Sequence, residues 1–120
     1  MNQNYITAGL VVIALVVIWY FFLNVGQYDG FAQCLNSKGL KFYGTFWCPH
    51  CNNEKALFGS SMKYMNYIEC SNKDMTQTEV CKKAGIQSYP TWEFASGSRL
   101  TGEVPFEKLS EMTGCPLKSS

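Results

Sequence analysis

An uninterrupted apolar segment from Ile6 to Leu23 constrains the fold of this 120-residue chain more than any other feature. The segment contains no charged residue. Its roughly 18 residues would form a helix about 27 Å long, close to the hydrocarbon thickness of a bilayer. Trp19 and Tyr20 at one end, and Tyr5 at the other, suit the two membrane interfaces. The segment predicts a membrane-spanning helix over residues 6–23, preceded by a short tail over residues 1–5.

A cleaved secretory signal is the alternative interpretation of the apolar segment. Such a signal has a basic region before a shorter apolar core, and small residues before the cleavage site. Residues 1–5 contain no Lys or Arg, and Asn24-Val25-Gly26 is a poor cleavage sequence. We therefore expect an uncleaved anchor.

The six cysteines of the chain all follow the apolar segment. Disulfide-bonded cysteine pairs persist in oxidising compartments and are rare in the cytosol. The alternative interpretation is a reduced cytosolic protein whose cysteines are buried thiols. Neither flank of the segment has a nearby Lys or Arg, so the positive-inside rule hardly favours an orientation. Because of the cysteines we expect a single-pass membrane protein with a cytosolic N-terminus and an extracytoplasmic domain.

The charge of the chain is nearly balanced. Ten Lys and Arg residues oppose nine Asp and Glu residues, for a formal net charge of +1. No run of like charge is present, so nothing indicates nucleic acid or an acidic surface as a partner.

After a polar tether over residues 24–30, strand-like and helix-like segments alternate. Apolar and aromatic runs bounded by Gly, Pro and Ser are typical of strands, and Asp or Thr before a polar–apolar period is typical of helices. The predicted strands are 40–46, 64–69, 91–95 and 99–101, and the predicted helices are 29–37, 49–58, 74 or 76 to 83, and 105–112. This order predicts an α/β domain over residues 31–117, with a tail over residues 118–120.

The motif Cys48-Pro49-His50-Cys51 lies where the first predicted strand gives way to a helix. Cys48 would lie at the helix N-terminus, where free N–H groups and the helix dipole stabilise a thiolate. Cys51, one turn later, is placed to resolve a mixed disulfide. Pro49 suits a first helical turn and stiffens it. The motif predicts thiol–disulfide exchange.

His50 is the only histidine in the chain. Inside the motif it can donate to the Cys48 thiolate or pair with it as an imidazolium. Stabilising the reduced form makes a disulfide a stronger oxidant. The alternative is a solvated histidine with no role.

Half of a zinc site is the other interpretation of the motif. A tetrahedral metal would take Cys48 and Cys51 together with Cys70 and Cys81. No second CxxC is present, and the spacing of Cys70 and Cys81 is unlike that of a zinc knuckle. We expect redox chemistry with no metal and no cofactor.

Phe46-Trp47-Cys48-Pro49-His50-Cys51, followed later by Tyr89-Pro90-Thr91, resembles the thioredoxin superfamily. The resemblance implies a thioredoxin-like fold, a mixed sheet of about four strands flanked by helices. It also implies that Pro90 is cis and lies against the active-site disulfide. The predicted substrate-binding residues are Trp47, Tyr89, Pro90 and Thr91.

More narrowly, residues from about Phe31 to Leu117 resemble the thioredoxin-like domain associated with vitamin K epoxide reductase homologues. The matching stretches are Tyr43-Gly44, Trp47 to Cys51, Tyr67 to Cys70, Gly85-Ile86 and Tyr89 to Trp92. The resemblance implies a domain facing the lumen or periplasm, reoxidised by a quinone-linked membrane oxidase that would here be a separate polypeptide. The buried acid of cytosolic thioredoxins has no clear match. The Pro-His dipeptide is similar to that of DsbA-type oxidants.

Four further cysteines are candidates for structural disulfides. In the resembling group a pair at the positions of Cys70 and Cys81 is usual, as a structural bridge or an electron relay, which leaves Cys34 and Cys115. Four cysteines allow three pairings, and the sequence does not choose among them. We expect Cys70–Cys81 first and Cys34–Cys115 second.

The predicted function is formation or isomerisation of disulfides in exported, cysteine-containing proteins. A dedicated redox carrier or reductant for one membrane partner is an alternative, and so is a non-catalytic, disulfide-stabilised binding module.

Glu54 and Lys55 are expected on a solvated helix face. The aromatic residues expected in the core are Phe42, Phe46, Trp92 and Phe94.

Overall fold

The computed structural model describes residues 2–24 and 26–117. Its helices are α1 (Gln3–Asn24), α2 (Asp29–Ser37), α3 (Pro49–Phe58), α4 (Glu79–Lys83) and α5 (Phe106–Thr113), with a 3₁₀ helix at Gly59–Tyr64. Its strands are β1 (Lys41–Gly44), β2 (Tyr67–Glu69), β3 (Thr91–Glu93) and β4 (Arg99–Thr101). The predicted tail over residues 118–120 lies outside the described residues.

Helix α1 is apolar on all sides and is exposed along its length. Within the described ranges it is the one helix long and apolar enough to cross a membrane, judged by length and composition. Exposure of an entirely apolar helix to water is unfavourable, whereas the hydrocarbon core of a bilayer accommodates it.

The four strands form one mixed sheet in the order β2-β1-β3-β4. Strand β1 runs parallel to β2 and antiparallel to β3, and β3 and β4 form an antiparallel hairpin. The parallel pair is connected through α3, as a crossover connection requires. This architecture confirms the predicted thioredoxin-like fold.

Aromatic side chains from the middle of the sheet and from the helices make up the core. Phe42 of β1 stacks on Trp92 of β3 with 4.2 Å between ring centroids. Phe31 of α2 and Phe58 of α3 both contact Phe106 at the start of α5. The flanking helices are therefore held to one another, as well as to the sheet, by apolar burial.

The prediction that Phe46 belongs to the core is wrong. Strand β1 ends at Gly44, and Phe46 lies in the following turn with 49% of its surface exposed. Phe46 therefore lies beyond the paired residues of the sheet and on the surface.

Two disulfides join the helices to the rest of the domain. Cys34 of α2 bonds Cys115 beyond the end of α5, and Cys70 after β2 bonds Cys81 of α4. The sequence separations are 81 and 11 residues. Loop-closure entropy makes the longer bridge worth about 4 kcal/mol and the shorter about 3 kcal/mol.

The segment that follows α1 is held against the domain. Gly26 is buried, and its N–H donates to Asp29 Oδ2 at 3.0 Å. Ser61 Oγ donates to Asp29 Oδ1 at 2.8 Å and accepts from the Tyr28 N–H at 3.2 Å. The part of the predicted tether from residue 26 onwards is thus bonded to the 3₁₀ helix and enters α2 at Asp29.

Candidate active site

The cysteine motif lies at the junction between β1 and α3. Cys48 is the residue that caps the N-terminus of α3, with an extended backbone, and Pro49 occupies the first helical turn. Both thiols are free. Cys48 retains 6% of its surface exposed, whereas Cys51 is fully buried. Cys48 is therefore the sulfur that an incoming thiol or disulfide can reach.

Cys48 lies against the loop that precedes β3. Its thiol donates to the Tyr89 carbonyl oxygen at a distance of 3.7 Å. The Tyr89–Pro90 peptide bond is cis, as the family resemblance implies. Thr91 follows as the first residue of β3, is buried, and donates its hydroxyl to the Ser88 carbonyl at 2.7 Å. The fold thus brings Tyr89 and Pro90 to the Cys48 sulfur, and Thr91 directly after them.

Cys51 is held in its protonated form. Burial raises the pKa of its thiol from 9.0 to about 12, although a backbone hydrogen bond with Thr45 offsets part of the rise. The neighbouring Cys48 raises the Cys51 pKa further. Because the thiolate is the nucleophile, the buried and protonated Cys51 thiol is a poor nucleophile in this state.

Gly44, the last residue of β1, makes room for the buried sulfur. A Cβ atom at this position would lie 2.9 Å from Cys51 Sγ and 3.1 Å from an edge carbon of the Tyr67 ring. No side chain larger than hydrogen fits there without moving Cys51. Gly44 belongs to one of the stretches that carry the family resemblance, but sequence reasoning missed its role. A glycine inside a short strand is the available signal for such a close approach.

Tyr67 lies beside the buried cysteine under the Lys55 side chain. The Lys55 ammonium is 4.1 Å from the centroid of the Tyr67 ring, and the Tyr67 hydroxyl donates to Glu69 at 2.9 Å. Burial, followed by the Glu69 hydrogen bond and charge, raises the pKa of Tyr67 above its usual range. Lys55 is half-buried, so the expectation that it lies on a freely solvated face is wrong.

The prediction that Glu54 is solvated is also wrong. Glu54 has 1% of its surface exposed, and its Oε1 atom accepts a hydrogen bond from the Val104 N–H at 2.5 Å. Its Oε2 atom has no hydrogen-bond partner among the described residues. Burial raises the pKa of Glu54 from 4.5 to about 7. The reason is helical spacing, because Glu54 lies one turn after Cys51 and one turn before Phe58 on the buried side of α3.

His50 bonds a carboxylate that sequence reasoning did not single out. Its Nδ1 atom lies 2.7 Å from Oε2 of Glu103, which follows β4, and the Cys48 thiol bonds Tyr89 instead. The hydrogen bond with His50 holds the pKa of Glu103 below its ordinary value. In place of the expected contact between His50 and the Cys48 sulfur, the structure has a hydrogen bond between His50 and Glu103. The two residues are 53 positions apart, and no local signal links them.

Aromatic surface surrounds the reachable sulfur. Trp47 is 39% exposed, and its ring lies edge-on to Tyr89 with 6.0 Å between centroids. The Trp47 indole N–H donates to Ser71 Oγ at 2.9 Å, which fixes the ring. Phe46 adds exposed apolar area next to it. Assignment of Trp47 and Tyr89 to substrate binding stays a prediction, and this geometry is compatible with it.

The cysteines considered for a metal site are not arranged for one. Cys70 and Cys81 are bonded to each other and have no thiolate to offer. Within residues 2–24 and 26–117, no group of three or more His, Cys, Asp and Glu side chains is arranged to hold a metal ion.

Comparison with known proteins points to the same chemistry. No protein-family model matches the chain. A curated protein named Thiol-disulfide oxidoreductase LTO1, from Arabidopsis thaliana, is 41% identical over 91 residues. The match includes 72% of this chain and 24% of that protein, so the chain spans about a quarter of the relative's length. The similarity supports a thioredoxin-like oxidoreductase.

Proposed function

From the thioredoxin-like fold and the similarity to a curated thiol–disulfide oxidoreductase, we propose that this chain is a membrane-anchored thiol–disulfide oxidoreductase. Its substrates are cysteine-containing exported proteins, in which it forms or isomerises disulfides. It acts on the extracytoplasmic side, with its N-terminus in the cytosol and residues 6–23 in the bilayer.

The unequal exposure of the two free thiols is the observation that carries the proposal. Cys48 is reachable at the N-terminus of α3, where the helix dipole favours a thiolate. Cys51 is sealed behind it, and its raised pKa keeps it protonated. A purely structural disulfide needs no such difference, whereas an exchange reaction needs one sulfur to meet the partner and one to resolve the product.

Oxidation of a client proceeds in two exchanges. A client thiolate attacks Cys48 Sγ in the Cys48–Cys51 disulfide, so that a mixed disulfide forms and Cys51 leaves as a thiolate. Cys51 then takes up a proton, as its raised pKa favours. A second client thiolate attacks the client sulfur of the mixed disulfide, and Cys48 leaves as a thiolate stabilised by the helix N-terminus. Two electrons pass from the client to the cysteine pair, and the client gains its disulfide.

The reduced pair needs an electron acceptor for a second cycle. We propose a quinone-linked membrane oxidase of the vitamin K epoxide reductase type as that acceptor. The apolar helix α1 would keep the domain beside such an enzyme in the same bilayer. A carrier or reductant dedicated to that single partner has the same site chemistry and differs in the direction of electron flow and the number of clients.

The proposed topology is tested in intact cells with protease-cleavable tags at the two ends of the chain. A tag placed after Ser120 is expected to be cleaved by protease added outside, and a tag placed before Met1 is expected to be protected. The chain is also expected to remain in the membrane fraction after alkaline extraction, because α1 is apolar on every side. Protection of the C-terminal tag would contradict the extracytoplasmic assignment, and release from the membrane would contradict the anchor.

The direction of electron flow is tested by the reduction potential of the Cys48–Cys51 pair. Equilibration of the full chain with glutathione is expected to give a value between about −120 and −200 mV, the range of DsbA and protein disulfide isomerase. The built-in control is that Cys34–Cys115 and Cys70–Cys81 stay oxidised over this range. A value near about −270 mV would make the protein a reductant, as thioredoxin is. No two-electron equilibrium at all would remove the catalytic proposal.

A further inference from the structure

The loop between β4 and α5, residues 102–105, is bonded to both sides of the active site. The Gly102 N–H donates to the carbonyl of Pro90 at 2.8 Å, and the Gly102 carbonyl accepts from the Trp92 indole at 3.1 Å. On the α3 side, the Val104 N–H donates to buried Glu54. Main-chain atoms of this loop are therefore fixed relative to the cis-proline and to the motif helix.

Glu103 lies between these fixed points and reaches the motif itself. Its Oε2 atom lies 2.7 Å from His50 Nδ1 and 3.5 Å from Asn53 Nδ2. The His50 side chain is 65% exposed and that of Glu103 is 41% exposed, so neither is locked in place by packing. Their mutual contact is what sets the direction of the imidazole.

We propose that Glu103 is a positioning residue that holds His50 away from the Cys48 sulfur and thereby limits the oxidising power of the Cys48–Cys51 disulfide. The inference rests on the proposed thiol–disulfide exchange. It assigns a role in setting the redox poise to a residue outside the cysteine motif.

The physical argument concerns competition for one imidazole. A histidine turned toward the Cys48 thiolate stabilises the reduced pair, and a more stable reduced pair makes a stronger oxidant. Glu103 engages the same ring through Nδ1 and places a negative charge beside it. That charge offsets the positive charge of an imidazolium, so the Cys48 thiolate receives less stabilisation than His50 alone would supply.

Glu103→Gln is the variant that tests this role. Exposed ion pairs contribute little to stability, and the main-chain contacts of Gly102 and Val104 do not depend on the Glu103 side chain, so the fold should persist. In the full chain at pH 7, the variant is expected to shift the equilibrium with glutathione toward the dithiol form by about two- to fivefold.

A second measurement reports on the imidazole directly. His50 is the only histidine, so its ring signals in a proton NMR spectrum need no assignment. In the wild-type protein these signals are expected to change little when the Cys48–Cys51 disulfide is reduced, because the ring faces Glu103. In Glu103→Gln they are expected to become sensitive to reduction, a change that a merely structural role would not produce.

Two controls separate positioning from a general charge effect. Glu107→Gln removes an exposed carboxylate from the first turn of α5 and is expected to leave the potential unchanged. In a His50→Ala background, Glu103→Gln is expected to have no effect or a much smaller one. An unchanged or more reducing Glu103→Gln variant would overturn the proposal, as would an equal shift with and without His50. If the wild-type pair shows no two-electron equilibrium, it is the proposed function that fails, because the effect of Glu103 is measured only against a working couple.

Discussion

Replacing Cys48 with serine is expected to abolish thiol–disulfide exchange, and replacing Cys51 with alanine is expected to trap the client on Cys48. Serine at position 48 keeps the size of the side chain and removes the nucleophilic sulfur, so the rate should fall by at least about a thousandfold. In Cys51→Ala the Cys48 thiolate can still attack a client disulfide, the reverse of the oxidation step, and the mixed disulfide then has no Cys51 thiol to resolve it. The two variants should thus fail in different ways.

Oxidative refolding of a reduced client, with glutathione disulfide as the terminal oxidant, measures the first effect. Non-reducing electrophoresis of Cys51→Ala from cells, followed by mass spectrometry, measures the second, and the matched Cys48→Ala/Cys51→Ala variant shows the background. Many trapped proteins would indicate a general oxidase or isomerase, and a single one a dedicated carrier. Exchange at the wild-type rate in Cys48→Ser would assign the activity to another pair, such as Cys70–Cys81.

The parts of the fold that follow from local pattern were predictable. Alternating strand and helix segments, the proline in the first turn of α3 and the motif at the end of β1 all leave marks in consecutive residues. The four-stranded sheet and the cis bond before Pro90 followed from resemblance, because nothing in the local residues distinguishes a cis from a trans proline. The bridge between Cys34 and Cys115 could only be ranked among the possible pairings, since it joins the two ends of the domain and no local pattern reports that closeness.

What sequence reasoning missed are contacts between distant segments. Glu54 looks like a solvated residue in a polar stretch, yet α3 turns it toward the Val104 N–H, which belongs to a loop after β4. His50 looks like a partner for its neighbour Cys48, yet the same loop delivers Glu103 to it. Phe46 is predicted in the core because the predicted strand runs two residues too far. Charge and apolarity are properties of single residues, whereas burial and pairing are set by the packing of α3 against the loop after β4.

Replacing Glu54 with glutamine is expected to stabilise the protein at neutral and alkaline pH. In the folded protein burial raises the pKa of Glu54 to about 7, whereas the ordinary value of 4.5 applies to the unfolded chain. Between these values the folded state holds a proton that the unfolded chain has released, so the contribution of Glu54 to the free energy of unfolding falls as pH rises. A difference of this size corresponds to at most about 3 kcal/mol. Glutamine does not ionise and keeps an oxygen for the Val104 N–H.

The experiment compares unfolding in urea across pH in a background where Cys48 and Cys51 are both alanine, so that thiol titration does not contribute. Near pH 4.5 Glu54→Gln and its parent should differ little, because a protonated glutamate and a glutamine are similar in shape and both uncharged. As pH rises, the free energy of unfolding of the variant should exceed that of its parent by a growing amount. The difference should become constant above about pH 7, where Glu54 is ionised in both the folded and the unfolded state. Glu111→Gln, which changes an exposed carboxylate on α5, should show the same pH dependence of the free energy of unfolding as its parent. A difference in the free energy of unfolding that narrows with rising pH would contradict this prediction, because it would mean that the charged Glu54 carboxylate is stabilised. Such stabilisation would require a hydrogen-bond donor for Glu54 Oε2, and the described residues provide none.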